Sequence, residues 1–260
     1  MKLYVLLPIL HDDALENITR QEIASAVGPT TEFTVDSLEM GPSSIETYFD
    51  EEVAAPWIVE KAIKADKDGY DAIIIDCMGD PAIHSVREAV KKPVVGPLMA
   101  TTSIACNLGE KFSIVTVLRE SIPLFKRKIR EYGLEHRLAS VRYVNVPVLE
   151  LERRRDEVRN QLVEESIQAV NDGADSIILG CTGMIGMAKS MQQRLDIPVI
   201  DPGVAQVKYA ELLVSLGLSH SPNVYPSPRV KKRIIPSQGS GYQIKTTEVG
   251  VFADGGNRRS

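Results

Sequence analysis

The chain has 260 residues, 43% of them hydrophobic, and its 30 basic and 35 acidic groups are mixed near balance, which leaves no basic face for nucleic acid. Its three cysteines are too few for a disulfide framework and show no CxxC zinc spacing, while no apolar run reaches the roughly 18 residues of a membrane span. A cytoplasmic, reducing setting with neither nucleic-acid nor membrane partners is expected, and the length allows two domains of about 100 to 150 residues.

Residues 1–10 form an apolar run followed by His11-Asp12-Asp13, where a signal peptide would need small residues, so they read as a first buried strand. Asp12 or Asp13 caps a helix expected over 14–27, with Leu15, Ile18, Ile23 and Val27 on one face and Gly28-Pro29 as its stop. Residues 31–38 alternate as a strand does. The loop Gly41-Pro42-Ser43-Ser44 is expected over the sheet's ligand edge, and a helix over 48–68 follows.

The next stretch, Asp68-Gly69-Tyr70-Asp71-Ala72-Ile73-Ile74-Ile75-Asp76-Cys77, is a turn, an unbroken apolar run and a cysteine. Such a run without polar alternation is what a parallel strand buried on both faces requires, and it carries the cysteine to the strand's carboxyl end. Beyond Met78-Gly79, Asp80 is the expected N-cap and Pro81 the first helical position of a helix through 82–90. Val94-Val95 reads as a strand. In Met99-Ala100-Thr101-Thr102-Ser103 the hydroxyl residues are expected to open another helix, a place for amides and hydroxyls to meet an anion or a carbonyl.

A strand over 112–117, a helix over 122–132 ended by Gly133 and a strand over 141–144 come next. A helix over 150–170 follows, whose charge run Glu152-Arg153-Arg154-Arg155-Asp156 reads as a solvated face. Asp172-Gly173-Ala174-Asp175-Ser176-Ile177-Ile178-Leu179-Gly180-Cys181 then repeats the first cysteine pattern 104 positions on. A helix over 185–195, the strand Val199-Ile200 and a helix over 204–216 complete the folded part. Lys92-Pro93-Val94-Val95-Gly96-Pro97 is echoed by Ile197-Pro198-Val199-Ile200-Asp201-Pro202, so the chain reads as two versions of one α/β unit. From Ser219 onward the composition turns to Pro, Ser and Gly with an excess of basic residues, a tail expected to be disordered or to contact another subunit.

In open α/β sheets ligands bind at the carboxyl edge, so thiols brought there by two equivalent strands are candidates for one shared task. A thiol beside a helix start has its anion favoured by the amide dipoles, which leads to the expectation of a base near neutral pH. With two thiols facing one cleft, one removes a proton from a carbon next to a carbonyl while the other returns one to the opposite face. That is racemisation or epimerisation without a cofactor, and the amides and hydroxyls around Gly79, Thr101, Thr102, Thr182 and Gly183 are the local donors for an enolate oxygen. Cys106 has no counterpart and reads as core, His84 as a helix-surface or capping residue, and His11 as a weaker candidate beside the ligand edge. No GxGxxG or GxxxxGK[ST] loop supports nucleotide binding, no lysine pattern points to a Schiff base, and no metal site is expected.

Cys-Met-Gly-Asp-Pro at 77–81, Pro-Val-Val-Gly at 93–96, Phe-Ser-Ile-Val-Thr at 112–116 and Leu-Gly-Cys-Thr-Gly-Met at 179–184 resemble the aspartate/glutamate/hydantoin racemase superfamily. The likeness covers roughly residues 1–217 and is nearest to the hydantoin and allantoin racemase branch. It implies two flavodoxin-like α/β domains with parallel sheets related by a pseudo-twofold, and an active site in the interdomain cleft. The expected division is 1–97 plus 205–235, then 98–204, with a C-terminal extension over 236–260. It also implies a metal- and pyridoxal-free two-base mechanism with Cys77 and Cys181 in the positions of the catalytic pair.

Two segments depart from that branch. Leu7-Pro8-Ile9-Leu10 keeps only the proline of the usual Asn-Pro-Asn-Thr run, and Leu98-Met99-Ala100-Thr101-Thr102 replaces the usual Ala-Glu-Ala segment. Both are expected to line the pocket, which makes Pro8, Ile9, Met78, Gly79, Thr101, Thr102, Thr182 and Gly183 the candidate substrate contacts. The expected partner is a small molecule, a 5-substituted hydantoin or allantoin, and the expected assembly a homo-oligomer. An amino-acid racemase, a maleate-type isomerase, an arylmalonate-type decarboxylase and a binding protein without turnover remain as alternatives.

Overall fold

The structure, a computed structural model, describes residues 1–231 together with the backbone of two short strands at 233–235 and 242–244. Those two strands pair antiparallel, and the rest of the expected extension over 236–260 lies outside the described residues.

The first unit runs β1 (Lys2–Leu10), α1 (Asp13–Ala26), β2 (Glu32–Leu38), α2 (Tyr48–Lys67), β3 (Ala72–Ile75), α3 (Ile83–Ala89) and β4 (Val94–Val95). Its strands form a parallel sheet in the order β2-β1-β3-β4. Next come α4 (Pro97–Leu108), β5 (Phe112–Thr116), α5 (Ile122–Glu131), β6 (Leu138–Tyr143), α6 (Arg155–Asn171), β7 (Ser176–Leu179), α7 (Ala188–Gln192), β8 (Val199–Ile200) and α8 (Pro202–Ser215). The second sheet, β6-β5-β7-β8, is also parallel and has the same topology.

The repeated residues repeat their bonds. Gly69 and Gly173 take φ of 83° and 97°, the left-handed backbone that a tight helix-to-strand turn needs and glycine adopts without strain. Two residues later, Asp71 Oδ2 accepts the Lys2 amide at 2.8 Å and Asp175 Oδ2 accepts the Lys111 amide at 2.8 Å, so each unit pins its central strand to its neighbour in one way.

Both faces of each central strand are covered, which explains the unbroken apolar runs. Tyr4, Leu6, Ile73 and Ile75 pack toward α2 and α3, whereas Leu3, Val5 and Ile74 pack with Ile23 of α1 and Val207 and Ala210 of α8. The last helix therefore returns from the second sheet to cover the first. Ile177 and Leu179 bury against Val158 and Leu162 of α6, and Ile178 against Ala105, Phe125 and Ile129. Each buried side chain of this size contributes about 1.5–3 kcal/mol.

Three helices start or stop away from their expected bounds, each for a local reason. Residues 148–150 form a separate 3-10 turn and Arg154 is not helical, so α6 begins at Arg155. A 3-10 turn at Thr182–Met184 and the left-handed Gly186 shorten α7. α4 starts at Pro97, which puts the hydroxyls of 101–103 inside the helix and not at its opening. No helix among the described residues is long and apolar enough to cross a membrane.

Candidate active site

β3 and β7 end alike. The Asp76 amide donates to the Leu6 carbonyl at 2.8 Å and the Gly180 amide to the Val115 carbonyl at 2.8 Å, each carrying the pairing one step past the strand. The following residue, Cys77 or Cys181, then turns into the space between the two units. A tight turn closes after each: the Asp80 amide reaches the Cys77 carbonyl at 2.9 Å, and the Met184 amide reaches the Cys181 carbonyl at 3.1 Å. Both cysteines line one cleft, together with Pro8, Ile9, Met78, Gly79, Thr182 and Gly183. The Thr182 hydroxyl bridges the units, donating to the Asp76 carbonyl at 3.4 Å.

Thr101 and Thr102 do not reach the cleft. Both are fully buried in α4, where their hydroxyls donate back to the carbonyls of Pro97 at 2.7 Å and Leu98 at 2.8 Å. A threonine inside a helix satisfies its donor on the preceding turn, which leaves nothing to offer a ligand. The amides at the start of α4 are taken as well: Leu98 and Met99 donate to the two oxygens of Asp80 at 3.0 Å each.

Asp80 thus caps a helix far along the chain and not the one that follows it. Asp80 and Ala82 both adopt positive φ, 47° and 55°, and α3 begins only at Ile83 with no side-chain cap. Two non-glycine residues in this region strain the Cys77 turn. The carboxylate holds the turn in place, accepting also the Tyr132 hydroxyl at 2.6 Å. Gly96 makes room for it, since a β-carbon there would fall 2.3 Å from Asp80 Oδ1.

The family model described as Asp/Glu/Hydantoin racemase matches residues 13–210. The chain belongs to this family. It is 37% identical over 226 residues to a hydantoin racemase of Pseudomonas sp. (strain NS671), an alignment covering 86% of this chain and 91% of that one. Among solved structures, an allantoin racemase from Pseudomonas fluorescens superposes with a TM-score of 0.85 at 32% identity, covering 90% of this chain and 100% of the other. An allantoin racemase from Klebsiella pneumoniae gives 0.84 at 31% identity, with 92% and 97% covered.

The wall of this family member's cleft includes residues that no sequence pattern marked as site residues. Leu15, Ile18, Thr19 and Glu22 come from α1, Ile45 and Glu46 from the loop before α2, Leu124 and Phe125 from α5, and Leu149, Leu151 and Glu152 from the approach to α6. The apolar helix spacing gave a partial signal for Leu15 and Ile18, but the same spacing serves a core. Glu152 belongs to the run read as a solvated face, and from the same run Arg155 turns inward to donate to the Ile185 carbonyl at 2.9 Å. Among the described residues, the ionisable groups of the wall, apart from the thiols, are Glu22, Glu46, Asp76 and Glu152, four carboxyls without a Lys, Arg or His among them.

Burial sets the protonation of the site. It pushes the Cys77 thiol well above its ordinary range, with the Gly79 amide opposing and Glu51, Cys181 and Asp80 adding to the rise. It pushes Cys181 up to about 12, opposed by the Gly183 amide and reinforced by Asp76 and Glu46. Both sulfurs therefore hold their protons at neutral pH. The expectation of a thiolate favoured by amides is reversed, because desolvation outweighs a single amide at each sulfur. Burial likewise raises Glu22 to about 8, with Arg155 opposing, and Asp76 to about 6 against the hydrogen bonds from Gln206 and Thr182.

The other sequence candidates stand apart. His11 is exposed beside β1, with Nδ1 2.8 Å from Glu16 Oε1. His84 pairs with Glu131 at 2.7 Å on the helix surface and stacks on Tyr225. Cys106 is half-buried against the cluster of Leu98 and Phe112.

Proposed function

We propose that the chain is a cofactor-independent racemase that inverts a carbon next to a carbonyl through Cys77 and Cys181, acting on a 5-substituted hydantoin or allantoin. Family membership makes it an isomerase of the racemase kind. The observation that carries the mechanism is that two sulfurs, delivered by equivalent strands of two like units, line the same cleft.

The reacting form has lost one of the two thiol protons, and repulsion between two nearby sulfurs keeps the other in place. The thiolate takes the proton from the substrate carbon, and the electron pair of that C–H bond moves into the carbonyl as an enolate. The opposite S–H then protonates the other face and becomes the thiolate. The two sulfurs exchange roles with each turnover. Amides of the two cysteine turns are the cleft's donors toward the enolate oxygen; the Thr182 hydroxyl is spent on the Asp76 carbonyl, and Thr101 and Thr102 have no part in it.

The wall favours an uncharged ring over the carboxylate substrates of the alternative readings. Aspartate, glutamate, maleate and an arylmalonate would each bring a carboxylate to a surface whose ionisable side chains, apart from the thiols, are carboxyls, with no Lys, Arg or His lining it among the described residues. A decarboxylase, moreover, needs only one of the two thiols. A binding protein without turnover would leave the substrate's hydrogen untouched.

Proton NMR in D2O, with each enantiomer of a 5-alkyl hydantoin, allantoin, aspartate and glutamate, tests this reading. Loss of the carbon-bound hydrogen faster than in buffer, with growth of the opposite enantiomer by polarimetry, is expected for hydantoin or allantoin. Exchange with aspartate or glutamate alone would overturn the substrate class, and exchange with none would overturn the activity.

A further inference from the structure

A buried carboxyl that the two-thiol mechanism does not use sits behind Cys77. Glu51 lies in the first turn of α2 and is 7% exposed, with an Oε1 that is buried and has no hydrogen-bond partner among the described residues. It presses on the Cys77 turn: a β-carbon at position 79 would fall 2.1 Å from that oxygen and 3.3 Å from its carboxyl carbon. Gly79 supplies the amide that favours the Cys77 anion, so carboxyl, amide and sulfur are successive neighbours.

The helix does not need Glu51 for its own start. Thr47 and Asp50 already form a reciprocal capping box there. Burying an unpartnered carboxyl costs stability, and a protein that keeps one beside a reacting group has a use for it. The charged groups facing Glu51 are Lys128 and Arg127 of α5, Asp80 of the cysteine turn and Glu52 on its own helix.

We propose that Glu51 is a positioning residue for the racemisation, whose ionised carboxylate holds the proton on Cys77 and leaves the first deprotonation to Cys181. The inference rests on the two-thiol reading above. It makes the two sulfurs inequivalent through a group that only one of them faces. Glu51, raised by burial to about 7, changes its own charge in the neutral range, so the bias switches on as pH rises through that value.

The test is iodoacetamide alkylation between pH 6 and 10, with Cys77 and Cys181 followed separately by peptide mass mapping, in wild type, Glu51→Gln and the exposed control Glu52→Gln. Glu51→Gln is expected to lower the apparent pKa of Cys77 by about one unit, a roughly tenfold faster alkylation at pH 8, with Cys181 moving far less and Glu52→Gln unchanged. An unchanged Cys77 profile in Glu51→Gln, or equal shifts at both cysteines, would overturn the proposal. Wild type supplies a second readout if the variant does not fold: the logarithm of the Cys77 rate should flatten for about one pH unit as Glu51 ionises. A straight line through that range also overturns it. Racemisation is measured on the same samples. Intact turnover without a Cys77 response removes only the role of Glu51, whereas a Cys77 response without turnover removes the functional reading on which that role depends.

Discussion

Gln206 Nε2 donates to Asp76 Oδ1 at 2.5 Å, joining the last helix to the residue before Cys77 across 130 positions of chain. Gln206 is fully buried and Asp76 nearly so. The same position in the second unit is Gly180, so the two copies share a backbone and differ in what stands before the sulfur. Replacing Gln206 by Leu strips the carboxyl of its side-chain partner from α8. The expected result is a loss of about 1–3 kcal/mol, read as a lower urea midpoint at pH 7. An unchanged midpoint would show that the bond contributes nothing.

Cys77→Ser and Cys181→Ser should each lower racemisation at least about a hundredfold, the usual worth of a positioned acid or base. Each single variant keeps one sulfur on one side. It is therefore expected to exchange the hydrogen of one enantiomer with D2O, the opposite enantiomer in the two variants. Retained racemisation in both would sink the mechanism.

Two glycines leave room that the cysteine turns require. A β-carbon on Gly180 would lie 2.7 Å from the Thr116 α-carbon and 2.9 Å from the Val115 carbonyl, backbone that cannot step aside. Gly180→Ala should cost about 1–3 kcal/mol and displace Cys181. Gly96→Ala acts otherwise, evicting the Asp80 carboxylate and freeing the strained turn after Cys77. Thermal midpoints and kcat of both variants decide the matter; normal kcat in Gly96→Ala would mean that Asp80 does not position the sulfur.

The raised carboxyls set a direction for stability against pH. Glu22 rises from 4.5 to about 8, Glu51 from 4.5 to about 7, and Asp76 from 3.8 to about 6. Between the lower and upper values the native chain holds protons that the unfolded chain has released, so stability falls as pH rises from about 4 to about 8. Urea midpoints at pH 5, 6, 7 and 8 should decline, and Glu22→Gln should flatten the upper part of that decline. A midpoint rising with pH would contradict the burial of these groups.

Activity should run the other way. With Cys181 pushed up to about 12 and Cys77 raised as well, the monothiolate grows as pH rises, and kcat/KM should climb from pH 7 toward 9. A maximum below pH 7 would contradict the raised thiols.

The two-unit architecture was legible in the residues themselves. An Asp-Gly turn, a second Asp and an unbroken apolar run built on Ile specify a buried parallel strand by local chemistry, and their recurrence 104 positions on is visible without any contact being known. The positions of Cys77 and Cys181 at matching strand ends followed from the same pattern.

Only the tertiary structure decided what surrounds them. Thr101 and Thr102 looked available from their hydroxyls, but a helix starting at Pro97 turns those donors onto its own carbonyls. Asp80 had the right neighbour for a local cap, and the positive φ of Asp80 and Ala82 aimed it instead at amides 18 and 19 positions away. The thiols' protons were misjudged for a related reason. An amide close in sequence is readable, while the burial that outweighs it depends on side chains from α1, the loop before α2, α5 and the approach to α6 meeting at one place. Short-range geometry is written into neighbouring residues; desolvation and electrostatic coupling belong to whatever the folded chain brings within a few ångströms.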